Sequence, residues 1–169
     1  GIKLECGFQT HEATCQLFNN QPVLPYLVAA GVEAVETSVR SRHDDDILFN
    51  HARQCVEAGL RMSLHPYTDE RDDNVAFFED RDSNRSRLFH QRFFRLAQRV
   101  AELQQAETIV TLHPASATRQ YEYSRLMERS CAFYEWARAW CERNVPGVQP
   151  VVELQLSVNP DEDRWRVGD

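Results

Sequence analysis

The chain has 169 residues, 42% of them hydrophobic and 27% charged, which is the balance of one ordinary globular domain. Its formal net charge of −7 argues against a general nucleic-acid or membrane-surface binder, because such proteins usually present a basic face. No apolar run approaches the ~20 residues of a membrane span, and five cysteines without a C-x-x-C pair indicate reduced thiols in a cytoplasmic protein.

Five short apolar runs predict strands. Each is bounded by glycine, proline or charged residues, and most contain valine or isoleucine, as the buried strands of a parallel sheet do. The runs cover residues 2–8, 32–39, 60–67, 108–115 and 148–156.

Helical patterns lie between the predicted strands, at 24–31, 44–60, 86–104 and 121–144. The last three repeat apolar residues at helical spacing, and their predicted buried stripes include Ile47, Leu88 and Met127. Arginines of the third helix are interleaved with apolar residues, which indicates the solvent side of an amphipathic helix rather than a nucleic-acid patch. These arginines are Arg85, Arg87, Arg92, Arg95 and Arg99.

Strands and helices that alternate in this way belong to the α/β class, with parallel strands joined by right-handed crossovers. Two architectures remain, a doubly wound open sheet and a (β/α)8 barrel. No G-x-G-x-x-G motif follows the first strand, which weakens a dinucleotide-binding open sheet. Five units in 169 residues extrapolate to roughly 270 residues for eight, within the usual range of barrels. The sequence therefore predicts a single domain over 1–169, the N-terminal part of a TIM-barrel-type fold with about five of its eight βα units.

The tripeptide Leu-His-Pro occurs twice, at 64–66 and 112–114, and each copy closes an apolar run. His65 and His113 therefore lie at the C-terminal ends of the third and fourth predicted strands, and Glu153 takes the matching place on the fifth. In a parallel barrel these strand ends meet at one rim, with neighbouring strands ~4.8 Å apart. Two imidazoles and a carboxylate are a known ligand set for Zn²⁺ and also suit Mn²⁺ or Fe²⁺. The sequence therefore predicts a divalent metal site at these three residues.

Residues 68–84 form a charged segment that is too long for an ordinary βα connection. It directly follows the first Leu-His-Pro-Tyr and is predicted to form a flap over the site. Within it, Phe77 and Phe78 could cover the apolar face of a sugar or could simply be buried against the rim.

Four stretches, taken in order and spacing, resemble the xylose-isomerase-like barrel superfamily, which contains sugar isomerases and epimerases and the endonuclease IV type of abasic-site nuclease. They are "AGVEAVE" (30–36), "LHPY" (64–67), "TLHPAS" (111–116) and "VVEL" (151–154). The resemblance covers the five βα units, essentially the whole chain. The final "RVGD" (166–169) is similar to the opening of the next loop or helix in such proteins.

The resemblance implies a metal-dependent enzyme that isomerises or epimerises a sugar or sugar phosphate by proton transfer next to a carbonyl. Its substrate would be a small carbohydrate and its divalent metal Mn²⁺, Zn²⁺ or Mg²⁺. In the isomerase branch the glutamate of the fifth strand, here Glu153, is a metal ligand and often an acid or base. The histidines of that branch, here His65 and His113, commonly bind substrate.

An endonuclease IV-like, zinc-dependent DNA-repair phosphodiesterase is the alternative, since all three residues correspond to metal ligands in that branch. The sequence departs from it at His65-Pro66-Tyr67, where that branch favours His-Ala-Pro-Tyr, and at Glu153-Leu154, where it favours Glu-Asn. These departures and the acidic net charge favour the isomerase side and make nucleic acid the weaker expectation. A second alternative is a non-catalytic structural barrel fragment, whose open sheet edges would favour a homo-oligomer.

Four further residues are predicted to bind substrate, each with a structural alternative. Glu36 ends the second predicted strand, where it could contact substrate or form an ion pair. Tyr67 could hydrogen-bond a substrate hydroxyl or pack at an edge. Ser116 and Arg119 follow the fourth strand and, with the next helix N-terminus, could hold a phosphate or carboxylate or simply cap that helix.

The remaining candidates carry lower expectations. Glu5 and His11, on and after the first strand, could reach the same rim. His51 and His90 fall inside predicted helices and are expected to be structural, and His43 precedes an acidic run and is expected at the surface.

Overall fold

The computed structural model describes residues 2–5, 23–68, 74–78, 84–118, 120–153 and 164–166. The described strands are β1 (Ile2–Glu5), β2 (Ala34–Arg40), β3 (Arg61–Tyr67), β4 (Thr108–Leu112), β5 (Ser116–Thr118), β6 (Val148–Val152) and β7 (Arg164–Arg166). The described helices are α1 (Val23–Ala29), α2 (Asp45–Glu57), α3 (Asn84–Gln104) and α4 (Tyr123–Asn144), with a 3-10 helix at Val75–Phe77. None of these helices has the length and apolarity to cross a bilayer.

The larger sheet has the strand order β1-β2-β3-β4-β6, and every neighbouring pair is parallel. The four helices alternate with these strands along the chain, so the predicted parallel α/β arrangement is confirmed. Because the strands all run the same way, their C-terminal ends meet at one edge of the sheet. That edge carries the residues predicted to form the site.

The fourth and fifth predicted strands end earlier than their apolar runs suggest. Strand β4 stops at Leu112 and β6 stops at Val152. His113 and Glu153 therefore lie immediately beyond the last residues of their strands.

A second sheet pairs β5 with β7 in antiparallel fashion, with Ser116 opposite Arg166 and Thr118 opposite Arg164. The family resemblance predicts the opening of a loop or helix at 166–169, whereas Arg166 ends a strand. Three residues are too short a run to show the alternation of a strand, and their pairing depends on a partner far away in sequence.

Local chemistry sets the boundaries of the helices. Asp44 caps α2, because its Oδ1 accepts hydrogen bonds from the backbone N–H groups of Asp46 and Ile47 at 2.8 and 3.2 Å. Gly31 and Gly59 follow α1 and α2 with φ angles of +76° and +81°, which glycine adopts without a steric penalty. These caps therefore fix where the chain leaves each helix toward the next strand.

The core lies between the larger sheet and the four helices α1 to α4. The predicted helix stripes are wrong at Ile47, Leu88 and Met127, which are 54%, 60% and 36% exposed. In each case the adjacent residue, which belongs to the same predicted stripe, is buried as predicted, namely Leu48, Phe89 and Leu126. Two adjacent apolar residues do not reveal which of them faces the sheet, since they differ by only ~100° around the helix.

The long connection after β3 packs against α4 where the structure describes it, at 74–78. Phe78 is fully buried, with its ring centroid 5.4 Å from that of Phe133 and 5.6 Å from that of Trp136. The prediction that Phe78 covers a sugar is therefore wrong, and its burial alternative is confirmed. The side chain of Phe77 and the rest of the predicted flap lie outside the described residues.

Candidate metal centre

Three side chains converge at the C-terminal edge of the larger sheet. His65 lies in β3 and is fully buried, His113 follows β4, and Glu153 follows β6. The Nε2 atoms of the two imidazoles are 2.5 Å apart, and Glu153 Oε2 is 3.5 Å from His65 Nε2 and from His113 Nδ1. Each residue offers a ligand atom within 4.8 Å of the other two. The structure therefore brings together the three residues predicted to bind a metal.

Backbone pairing explains part of this convergence. Leu112 of β4 pairs with Val152 of β6, and the next residues along the two strands are His113 and Glu153. The N–H of Glu153 donates to the Leu112 carbonyl at 3.0 Å. That bond extends the ladder by one step and keeps the two side chains at the same level of the sheet.

A carboxylate holds the other ring nitrogen of His65. Glu36 Oε1 is 2.8 Å from His65 Nδ1, and Glu36 Oε2 accepts a hydrogen bond from Thr111 Oγ1 at 2.8 Å. The sequence predicts Glu36 at the end of the second strand, but β2 continues to Arg40, so Glu36 lies in its first half. The geometry favours the ion-pair alternative for Glu36 over a direct substrate contact.

Lys3 of β1 reaches the same group. Its Nζ is 2.7 Å from His65 Nδ1 and 3.4 Å from Glu36 Oε1, and it donates to the Tyr67 hydroxyl at 2.5 Å. Burial lowers the pKa of Lys3, but the hydrogen bond to Tyr67 and the charge of Glu36 outweigh this effect and leave its pKa raised. Lys3 is therefore a permanent cation beside the ring.

The pKa of Glu36 shifts in the opposite direction. Burial raises it, but hydrogen bonds from His65 and Thr111 and the charge of Lys3 outweigh burial and leave the pKa lowered. Glu36 is therefore an acceptor throughout the neutral pH range.

Tyr67 packs on both imidazoles. Its ring stacks on that of His65 with centroids 4.6 Å apart and planes 13° apart, and it is tilted by 55° against His113 at a centroid distance of 4.6 Å. The guanidinium of Arg40 lies 5.4 Å from the Tyr67 centroid on a cation–π contact. These contacts fix the ring plane of His65 and leave its rotation little freedom.

His113 has the charge state that metal binding needs. Burial lowers its pKa to about 4, and the neighbouring His65 adds to the shift. At pH 7 the imidazole is therefore neutral and has one unprotonated ring nitrogen. Neutral imidazoles and a carboxylate are donors that a divalent cation accepts, so the residues present fit such an ion.

A cavity of about 420 Å³ opens beside His113 and Glu153, a volume within the range of small-molecule sites. Side chains on its wall include those of Tyr67, Asn74, His90, His113, Ser116 and Glu153. Two of the residues predicted to bind substrate, Tyr67 and Ser116, therefore lie on the wall.

Hydrogen bonds fix the wall opposite β3. Asn74 Nδ2 donates to the Ser116 carbonyl at 3.1 Å, and Asn74 Oδ1 accepts from the Ala76 N–H at 2.9 Å. Arg129 of α4 donates to the Ala76 carbonyl. The described part of the long connection is thus joined to both β5 and α4.

His51 and His90 are buried, as expected for structural residues. Nδ1 of His90 lies 2.7 Å from the Ser86 carbonyl, to which it donates, and burial lowers the pKa of His90 to about 4. His43 is half-buried rather than fully at the surface, because its Nδ1 accepts the Arg40 N–H at 3.1 Å.

Several site residues were not found from the sequence. They are Lys3, Thr111 and Asn74. The sequence offers two weak signals for them, since Lys3 is the only lysine of the chain and Thr111 directly precedes the second Leu-His-Pro. Among the predicted candidates, Arg119, His11 and the side chain of Glu5 lie outside the described residues.

No protein-family model matches the sequence, and a comparison with curated proteins finds no match. Two solved structures share the fold. An L-ribulose 3-epimerase matches with a TM-score of 0.57 and 17% identity over 90% of this chain and 49% of its own. The D-psicose 3-epimerase from Clostridium cellulolyticum H10, solved with D-tagatose, matches with a TM-score of 0.57 and 14% identity over 90% of this chain and 52% of its own.

The chain thus spans about half the length of both proteins. At these identities the likeness shows the fold alone: the chain shares the fold of two sugar epimerases, and the predicted TIM-barrel-type arrangement of strands and helices is confirmed at that level.

Proposed function

We propose that this chain carries the N-terminal half of the active site of a divalent-metal-dependent isomerase or epimerase that acts on a sugar or sugar phosphate. One observation carries the proposal, the convergence of His65, His113 and Glu153 at the C-terminal edge of a parallel sheet, beside a cavity of about 420 Å³. The fold shared with two ketose 3-epimerases supports the choice of substrate class.

In the proposed site, His65, His113 and Glu153 hold the cation. A divalent ion bound there would polarise a substrate carbonyl and acidify the neighbouring C–H bond. Among the described residues on the cavity wall, Glu153 is the only carboxylate. We therefore assign to Glu153 both a ligand oxygen and the acceptance of the proton from the substrate carbon.

Tyr67 and Ser116 would orient the sugar. The Tyr67 hydroxyl already accepts a hydrogen bond from Lys3, so its own hydrogen remains to be donated to a substrate oxygen. Ser116 offers a side-chain hydroxyl while its carbonyl accepts a hydrogen bond from Asn74.

The proposal includes a reducing, cytoplasmic setting for the protein. The free thiols of Cys55, Cys131 and Cys141 favour such a setting.

A zinc-dependent phosphodiesterase of the endonuclease IV type is the second candidate. The observation that favours it is the contact of both imidazoles with Glu153, since that branch uses the corresponding three residues together as ligands. The net charge of −7 opposes it, because a DNA-binding face is usually basic.

Metal content tests the site. The purified chain is loaded with Mn²⁺ or Zn²⁺, desalted and measured by elemental analysis. We expect close to one ion per chain in the wild type and loss of most of it in His113→Gln and Glu153→Gln. His51→Gln and Glu102→Gln, which change a histidine and an exposed carboxylate elsewhere, serve as controls and should keep the ion. Retention of the ion in both site variants would refute the assignment.

Solvent exchange separates the two candidate functions. Because this chain carries half of the proposed active site, the test uses the metal-loaded full-length protein. It is incubated in D₂O with L-ribulose, D-psicose, D-tagatose and their phosphate esters, and in parallel with a duplex that contains an abasic site. An isomerase or epimerase incorporates deuterium next to the carbonyl of a ketose. Strand incision at the abasic site without deuterium incorporation would replace the first proposal by the second.

A further inference from the structure

Two groups with opposite requirements face Nδ1 of His65. Glu36 Oε1, at 2.8 Å, can only accept a hydrogen bond, and Lys3 Nζ, at 2.7 Å, can only donate one. A neutral imidazole carries one hydrogen, on either Nδ1 or Nε2. Nδ1 of the neutral ring can therefore donate a hydrogen bond to Glu36 or accept one from Lys3, but it cannot do both.

The position of the ring hydrogen, on Nδ1 or on Nε2, determines whether Nε2 can bind a metal ion. With the hydrogen on Nδ1, Nε2 presents its lone pair toward His113 and Glu153, as a metal ligand must. With the hydrogen on Nε2, that nitrogen becomes a donor toward His113 Nε2 at 2.5 Å or Glu153 Oε2 at 3.5 Å. The second tautomer cannot bind a cation through Nε2.

We propose that Glu36 is a positioning residue that selects the metal-competent tautomer of His65, and that Lys3 opposes it. This inference rests on the proposed function, in which His65 Nε2 binds the ion. It differs from a substrate-binding role for Glu36, because the carboxylate acts through the imidazole.

Three contacts favour Glu36 over Lys3 in this competition. Thr111 Oγ1 donates to Glu36 Oε2 at 2.8 Å, which fixes the carboxylate plane from the far side. Lys3 keeps the Tyr67 hydroxyl and Glu36 as partners when His65 does not accept from it. The side chains of Lys3 and Glu36 are 39% and 30% exposed, so water can reach both groups and exposure does not decide the competition.

The test is the tautomer of His65 in the metal-free chain, read from its ¹⁵N chemical shifts at pH 8. The signals are assigned by their loss in His65→Gln. We expect the Nδ1–H form in the wild type and a shift toward the Nε2–H form in Glu36→Gln. Lys3→Met should leave the Nδ1–H form in place, because it removes the opposing donor. Glu33→Gln, an exposed glutamate just before β2, is the matched control and should match the wild type.

Zn²⁺ affinity gives the second readout. We expect Glu36→Gln to weaken binding by about 10–100-fold and Lys3→Met to leave it equal or stronger. Loss of a negative charge alone would weaken binding without moving the tautomer, so the two readouts together distinguish positioning from simple attraction.

The outcomes separate the inference from the proposed function. An Nε2–H form in the wild type, or an unchanged tautomer in Glu36→Gln, would overturn the inference even if zinc binds. The expected tautomers in a chain that binds no zinc would uphold the role of Glu36 in setting the tautomer and refute the metal site.

Discussion

Burial, rather than a neighbouring charge, sets the charge state of His90. The ring packs against Phe133 with centroids 4.6 Å apart, and Nδ1 is bonded to the Ser86 carbonyl. Burial lowers its pKa to about 4, against the ordinary 6.5. The neutral ring is therefore part of the folded state, whereas the same histidine in the unfolded chain takes up a proton below pH 6.5.

This difference predicts that the folded chain loses stability as the pH falls. Between pH 6.5 and 4 the unfolded chain binds more protons at His90 than the folded chain, so stability rises with pH in that window and is lost as the pH falls. From pH 7.5 to pH 5 the loss from His90 is about 2 kcal/mol. Urea unfolding at both pH values should show a smaller loss in His90→Gln than in the wild type. Equal losses would mean that the ring is solvated in the folded chain.

The central residues of the site were accessible from the sequence because they follow a repeat. Two Leu-His-Pro tripeptides at strand ends place His65 and His113 together once the strands are parallel, and Glu153 follows from the same logic. Lys3 and Thr111 were not accessible, because their contacts depend on side-chain reach across the sheet. Glu36 was a predicted candidate, but it lies four residues before the end of β2. Its partner in the structure is therefore His65 and not, as predicted, a substrate.

At the scale of elements, Arg92 of α3 joins that helix to the turn before α2. Its Nε donates to Asp45 Oδ1 at 2.8 Å and its Nη1 to the Ser41 carbonyl at 2.6 Å, while Nη2 reaches the His43 carbonyl. The amphipathic pattern of the sequence predicts Arg92 on the solvent side of the helix. The correction follows from α2 and α3 lying side by side, which an amphipathic pattern does not specify.

Arg92→Lys should lower the free energy of unfolding by about 1–2 kcal/mol, because an ammonium cannot reproduce the divergent donors of a guanidinium. Arg95→Lys is the matched control on the same helix, since Arg95 is exposed and lies over the Trp140 ring at 5.5 Å. That control should change stability by no more than about 0.5 kcal/mol. Denaturant unfolding of both variants measures these changes. Equal losses of stability in the two variants would show that Arg92 does not stabilise the contact between α3 and the turn before α2.

The order of elements was predictable because each strand and helix has its own periodicity and its own stop signals. Gly31, Gly59 and the acidic start of α2 mark boundaries that the structure reproduces. The pairing of β5 with β7 was not predictable, since nothing local in three residues indicates an antiparallel partner.

At the scale of the whole molecule, the five parallel strands differ in how they are supported. Among the described residues, β2, β3 and β4 pair on both sides, and β1 and β6 each pair on one. The two epimerases compared above are about twice as long. The proposed metal ligands come from β3 and from the ends of β4 and β6, so the site spans the centre and one edge of this sheet.

The rate of amide hydrogen exchange should differ between the strands of the larger sheet according to their pairing and packing. Amides of β3 and β4 should be the slowest to exchange, because opening them requires loss of pairing on both sides and of the packing against α3. Amides of β1 should exchange fastest among the strands of the larger sheet. Mass spectrometry of peptic fragments would measure this, and uniform protection across the sheet would contradict it.

The ribbon of β5 and β7 has a consequence for engineering. Ser116 lies on the cavity wall and pairs with Arg166, in the chain that follows β6. Two successive connections of the sheet are thus tied by backbone hydrogen bonds and cannot be redesigned one at a time. A graft that aims to alter ligand preference must transplant 116–118 and 164–166 as one unit, since either alone leaves its partner's backbone groups unpaired.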